Sequence, residues 1–204
     1  MSGLRERKKA ETRAALGWAA IHLTAERGYD NVRVEDIAEA AGVSPRTFNN
    51  YFSSKAEAIA SRHLDRSLRT ATALRQRPTD EPLWTALTAA ALEQFTRGPE
   101  VDAMPTPAHP HWATGIRAML AEPALEGERL RATAIAETEL VAAIADRTGT
   151  HPTDMYPRLV AAAATAAISV AMQHYLDNPT PTPIQNLITD AFTQIAAGLP
   201  TPTP

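Results

Sequence analysis

Apolar and polar positions along this chain recur with the three-to-four-residue rhythm of amphipathic helices. In residues 6–27, Leu16, Ala19, Ala20 and Leu23 fall on one face and the pattern stops at Gly28. A short periodic segment, 34–41, ends at Gly42. The next opens with Ser44 as N-cap and Pro45 at the first helical position, and runs to about Tyr51. Ser53 or Ser54 then caps a longer helix that reaches Arg75. Beyond Pro78 the pattern predicts helices over 81–96, 111–121, 124–147, 153–176 and 183–197. No segment shows the two-residue alternation of a half-buried strand. The expected fold is all-α, with about nine helices.

The prolines mark the boundaries. Of 16, only Pro45 lies in the first 77 residues, seven run from Pro78 to Pro123, and the rest lie between Pro152 and Pro183 or in the Thr-Pro tail. The expected organisation is an N-terminal domain over 1–53, a linking helix over 54–77, a second helical domain over 78–198 and a flexible tail over 199–204.

Composition narrows the classes. With 44% hydrophobic and 21% charged residues, a 204-residue chain has enough apolar surface for a sizeable core. The absence of cysteine excludes disulfides, thiol nucleophiles and cysteine-ligated zinc. No apolar run approaches the roughly 20 residues of a membrane span, and residues 1–13 have no signal-peptide core, so a soluble, cytoplasmic protein is expected. The net charge of −3 is unevenly spread. Residues 1–69 carry 12 Lys and Arg against 9 Asp and Glu, a balance of +3, and the remainder carries 8 against 14, a balance of −6.

The positive end holds the most informative motif. Two short helical segments flank Ala41-Gly42-Val43-Ser44, with Ile37, Ala38, Val43 and Phe48 placed to pack the corner. That spacing is the spacing of a helix-turn-helix, whose second helix enters the DNA major groove. Together with Arg27-Gly28-Tyr29 before it and Arg46-Thr47-Phe48-Asn49-Asn50-Tyr51-Phe52-Ser53-Ser54-Lys55 after it, the run closely resembles the DNA-binding domain of TetR-family transcriptional regulators. The resemblance implies a three-helix DNA-binding domain, a fourth helix leading to a divergent ligand-binding domain, and a dimer built on the last two helices. Two positions depart from the family pattern: Thr24, where Phe is frequent, and Arg33, where Thr caps the following helix.

Roles follow residue by residue. Arg46, at the start of the recognition helix, suits a bidentate contact with guanine or a phosphate contact, and the Asn49 and Asn50 amides suit adenine edges. The turn residues Ser44 and Pro45 belong to the same surface. The resemblance places Thr47 and Tyr51 against the DNA backbone, Lys55 as a phosphate clamp, and Arg33 as a phosphate ligand. Arg5, Arg7, Lys8, Lys9 and Arg13 form a basic patch on an arm or first turn, although a merely solvated face explains Lys8 and Lys9 equally well.

The acidic second half shows no catalytic constellation, and no enzyme, cofactor or metal is expected. His109 and His111, with Asp102 nearby, lack a second ligand pair at helical spacing. Trp84, Leu87, Phe95, Trp112, Ile116, Met119, Ile135, Met172 and Tyr175 lie on separate helices. Individually they read as core; together, and by the resemblance, they read as an apolar ligand chamber with Glu139, Gln173 and His174 as polar anchors. Residues 117–123 and 154–163 look like the C-terminal domain of the mycofactocin-regulator-like branch, which implies a small apolar or acyl-CoA-like ligand. Seven of the 13 residues from Val160 to Met172 are Ala. With Ala162, Ala166, Ser169, Leu187, Ile188, Ala191, Phe192 and Ile195 they suit a four-helix dimer interface, and an intramolecular core explains the same pattern. The expected function is a homodimeric repressor that binds a palindromic operator in double-stranded DNA and is released by its ligand. Alternatives are a DNA-binding regulator without a ligand, and a helical enzyme or carrier with a vestigial helix-turn-helix.

Overall fold

The computed structural model of the chain describes residues 2–95, 109–178 and 182–201. Among the described residues there are nine α-helices and no strand: α1 (Ser2–Arg27), α2 (Val34–Ala40), α3 (Pro45–Asn49), α4 (Lys55–Gln76), α5 (Leu83–Glu93), α6 (His109–Leu120), α7 (Glu126–Thr148), α8 (Met155–Asp177) and α9 (Ile184–Ala196). Short 3₁₀ turns stand at Tyr29–Asn31 and Pro123–Leu125.

The differences from the sequence-based boundaries have local causes. Helix α1 begins at Ser2 and not Glu6, so Arg5, Arg7, Lys8 and Lys9 are carried on a helix and not on an arm. Helix α5 begins at Leu83 because Pro82 holds a non-helical backbone, φ −54 and ψ 138. The helix expected over 124–147 is divided: the Glu122 carboxylate accepts from Ala124 N at 3.4 Å and starts a 3₁₀ turn, after which α7 runs on.

Two compact units make up the chain: Met1–Leu64 with Arg97–Thr133, and Asp65–Thr96 with Ala134–Pro204. Two of the three divisions, 64/65 and 133/134, fall inside helices α4 and α7. The first unit is built around Leu16, Ala19, Ala20 and Leu23 of α1, Ile37 of α2, Phe48 of α3 and Phe52, with Met119 and Leu125 joining the same core. Phe48 and Phe52 stack tilted with ring centroids 5.7 Å apart. Each buried aromatic of this kind contributes on the order of 2–3 kcal/mol by removal from water.

In the second unit α9 packs on α8 and α5, and its core holds Leu74, Leu87, Ile144, Ile188 and Phe192, all fully buried. The connection between α4 and α5 is held by one side chain. Arg147, in the last turn of α7, donates to the carbonyls of Arg77 (3.3 Å), Pro78 (2.5 Å) and Glu81 (2.6 Å). Three carbonyls of the loop are thus gathered by a single guanidinium fork, the Pro78 carbonyl also accepting from Glu81 N at 3.3 Å. The Arg77 and Glu81 side chains also pair within the loop. The Arg75 pairs with Glu139 and Asp146 are exposed and contribute little.

Helix α8 is more apolar than the sequence pattern suggested. Its 23 residues are long and apolar enough to cross a membrane by length and composition only, a test that the core helix of a globular protein also passes. The Ala run accounts for this, because alanine adds apolarity without bulk. One side of α8 uses it internally: Val160, Ala161, Ala164, Ala167 and Ala171 are buried.

Replacing Arg147 with Ala should take a charged donor from the three carbonyls and destabilise the second unit by about 2 kcal/mol, read as a lower denaturation midpoint with the helical signal of the folded state unchanged.

Candidate nucleic-acid interface

The turn between α2 and α3 is fixed by backbone geometry. Gly42 sits at φ +68, where a side chain would be strained. Val43 N donates to Ala38 O and Gly42 N to Glu39 O, both at 2.9 Å, the paired bonds that terminate a helix at a left-handed residue. The chain then restarts at once. The Ser44 hydroxyl accepts from Thr47 N at 3.1 Å and lies 2.9 Å from Thr47 Oγ1, with Pro45 at the first helical position. Ser44, Pro45 and Thr47 therefore build the start of α3, and the Thr47 hydroxyl is engaged with Ser44.

Helical spacing decides which side chains of α3 face outward. Phe48 is fully buried, and Arg46, Asn49 and Asn50, at spacing i, i+3 and i+4, are exposed on the other side. A guanidinium and two amides on one exposed face can pair with base edges in a groove. Tyr51 is half-buried and accepts through its carbonyl from Arg13 at 3.5 Å; the Arg13 guanidinium also lies 4.6 Å from the Phe52 ring centre. Arg13 thus ties α1 to the end of the recognition segment.

Arg33 occupies the N-cap position of α2. A guanidinium has no lone pair to cap the following N–H groups, and the cap is supplied from the other direction: Arg33 N donates to Asp36 Oδ2 at 2.8 Å. The Arg33 side chain is exposed. Thr24 is 2% exposed, and its hydroxyl has no hydrogen-bond partner among the described residues.

Lys55 is placed differently from a simple clamp. Its ammonium donates to the carbonyls of Tyr29 (2.5 Å) and Val32 (2.9 Å) and lies 3.9 Å from the Tyr29 ring centre. Two of its three N–H donors are thus used to join the start of α4 to the turn after α1, leaving one for an outside anion. The Tyr29 hydroxyl is held above its ordinary pKa by burial and by the negative charges of Glu122 and Asp30. Next to Lys55, Ser53 donates both its N–H and its O–H to Glu57 Oε2 at 2.7 Å, and Ser54 Oγ accepts from Glu57 N at 3.0 Å, a reciprocal cap for α4. Burial pushes the Glu57 carboxyl up, but the Ser53 hydrogen bonds and the charges of Arg13 and Arg131 together outweigh it and hold the pKa below the ordinary value.

The residues expected at a ligand chamber fall into both units. Trp112, Ile116 and Met119 belong to the first: Trp112 lies against Trp18 and His22, and Met119 is buried in the core with Phe48. The others belong to the second. There Leu87 is buried, Trp84 meets Phe192 edge-on at 6.0 Å, and Phe95 lies beneath the Arg66 guanidinium at 4.2 Å. Met172 and Tyr175 are half-buried, and Ile135 and Gln173 are exposed. Glu139 pairs with Arg75, and His174 Nε2 lies 3.2 Å from Asn178 Nδ2. Asp102 and the His109 side chain lie outside the described residues, and His111 is exposed.

Of the residues expected at a dimer interface, Ala162, Ala166 and Ser169 are exposed, and Leu187, Ala191 and Ile195 are half-buried. Ile188 and Phe192 correct that expectation. Both are closed inside the chain's own core and offer a partner no surface, because the apolar face of α9 turns inward onto α5 and α8.

Residues 18–60 match the bacterial regulatory proteins of the TetR family, and residues 81–200, more than half of the chain, match the MftR C-terminal domain. The chain belongs to the TetR family. It is a DNA-binding transcriptional regulator. Over 55 residues it is 49% identical to the HTH-type transcriptional regulator TcmR of Streptomyces glaucescens, a match covering 27% of this chain and 24% of that protein. Among solved structures, the fatty acid degradation regulator FadR of Bacillus halodurans aligns with TM-score 0.59 and 16% identity, over 92% of this chain and 96% of that one. A Rhodococcus protein described as a TetR-family transcriptional regulator aligns with TM-score 0.57 and 22% identity, over 94% of this chain and all of that one. These two likenesses are likenesses of fold.

Within this TetR-family chain, Lys55→Ala should lower head stability by about 1–3 kcal/mol, because two carbonyls lose a charged donor, with the loss read by thermal unfolding without DNA. The Glu57 cap has its own pH signature. A carboxyl whose folded pKa is depressed contributes stability above its unfolded value and loses it as pH falls through the folded one. Glu57→Gln should therefore flatten the acid side of the stability profile while leaving neutral-pH folding cooperative.

Proposed function

We propose that the protein is a cytoplasmic homodimeric repressor that binds a palindromic operator and is released by a small apolar or acyl-type ligand, without catalytic activity of its own. The observation that carries the dimer is the outer side of α8. Met155, Leu159, Ala162, Ala166, Ser169 and Gln173 recur at alternating intervals of four and three residues, all exposed, opposite the buried Val160, Ala164, Ala167 and Ala171. Met155 is 75% exposed, Leu159 59% and the flanking Val170 64%. An apolar seam with a 3.5-residue repeat is the pattern by which two helices pack along their length, and small residues at its centre let the backbones approach.

A two-fold dimer presents two recognition helices to half-sites about one DNA turn apart, hence the palindrome. Arg46, Asn49 and Asn50 supply base readout, and Arg33, Thr47, Tyr51 and the remaining N–H of Lys55 supply backbone contacts. The ligand acts by favouring an arrangement that spaces the recognition helices wrongly, and about 1.4 kcal/mol of coupling suffices for a tenfold loss of operator affinity. The acyl class is supported by the MftR-type domain and by the name of the FadR fold relative. A second reading, a regulator without a small-molecule ligand, is favoured by the closure of Leu87 and Met119 within cores.

Three measurements test this. Ala166→Arg should give a monomer by sedimentation at micromolar concentration and abolish operator binding; a variant that remains dimeric defeats the seam. Arg46→Ala should relax base preference at one position per half-site by about 1–3 kcal/mol, whereas Arg33→Ala should weaken all sequences alike and reduce the salt slope by about one unit. Operator affinity with and without a long-chain acyl-CoA separates the two readings: equal values favour the regulator without a ligand.

A further inference from the structure

The core beneath the helix-turn-helix is closed by residues far along the chain. Helix α6 crosses α1 with the two backbones in contact: a Cβ added at Gly115 would overlap the carbonyl oxygen of Ala25 and stand 2.8 Å from its carbon. Helix backbone, unlike a flexible side-chain tip, cannot swing aside, so glycine alone fits at this crossing. One turn before Gly115, Trp112 lies against Trp18 and His22 of α1, with ring centroids at 6.2 and 5.8 Å. One turn after it, Met119 enters the core that contains Phe48, and Leu125 of the following 3₁₀ turn completes that core. Glu122, between them, is near enough to Tyr29 to act on its hydroxyl, and the Tyr29 ring and carbonyl hold Lys55.

We propose that residues 109–125 are a positioning element of the DNA-reading head, with Gly115 as the positioning residue, so that the setting of α1 and the recognition helix depends on a segment outside residues 18–60. The contacts run through α1, since Arg13 of that helix bonds the Tyr51 carbonyl at the end of the recognition segment. Displacing α6 loosens α1, and a loosened α1 releases the surface that reads DNA.

The test uses the full chain carrying Gly115→Val or Gly115→Ala, with amide hydrogen exchange read separately for α1–α3 and for α8–α9. Gly115→Val should raise exchange in α1–α3 by about tenfold or more and leave α8–α9 unchanged. Its affinity for a duplex recovered by selection from random sequence should fall by about tenfold, and Gly115→Ala should give intermediate values in both. Unchanged exchange in α1–α3 overturns the proposal, and so does an equal rise in both units, which marks a general folding defect. If Gly115→Val does not fold, the Gly115→Ala values decide by the same criteria. The affinity arm rests on the operator reading above. Should the wild type recover no duplex, that reading fails while the exchange arm still decides this one.

Discussion

The Lys55 ammonium is the point on which the head of this molecule depends. It gathers the Tyr29 and Val32 carbonyls and the Tyr29 ring, three features of the turn between α1 and α2, onto the first residue of α4. Because α3 is only five residues long, it cannot hold its own orientation by helix propensity. Its setting comes from what lies on either side: the capped turn at Gly42 and Ser44 before it, and Phe52 with the tethered start of α4 after it. A half-buried cation set against carbonyls and an aromatic face does this without a large hydrophobic contact. The outer side of α3 is thereby left to polar side chains.

Much of the head was legible in the sequence because its signals are local. Gly42, Ser44 and Pro45 each specify a backbone state at one position, and the structure has those states. The all-helical reading held for the same reason: proline positions and 3.6-residue periodicity act over short windows. The internal use of Lys55 was not legible, because its partners are carbonyls, and every residue has one. Nor was the crossing at Gly115, since Gly115 and Ala25 are 90 positions apart in the chain and a glycine inside a helical pattern leaves no local trace of what approaches it. Arg147 belongs with these: a basic residue in the last turn of a helix reads as a partner of that helix's dipole, whereas its fork serves a loop elsewhere in the second unit.

Helix α8 shows how one composition serves two ends. Alanine contributes little burial per residue, so a face of Ala161, Ala164, Ala167 and Ala171 is useful inside a unit only if its neighbours come close; α9 meets that condition by bringing Ile188 and Phe192 inward. The same smallness on the outer side leaves an apolar surface that water does not favour. The expectation that α9 would present Ile188 and Phe192 outward failed on this point, since a face rich in alanine needs bulky partners within the chain.

The three tryptophans are divided between the units in a way that gives the molecule separate optical reporters. Trp18 and Trp112 lie together at the α1–α6 crossing, with the Arg62 guanidinium 5.0 Å from the Trp18 ring centre, whereas Trp84 stands edge-on to Phe192 in the second unit. A nearby cation and a second indole shift and quench emission, and a phenyl edge does neither strongly. The intrinsic fluorescence of this protein is therefore a composite, and replacing Trp84 with Phe would leave a spectrum belonging to the head alone.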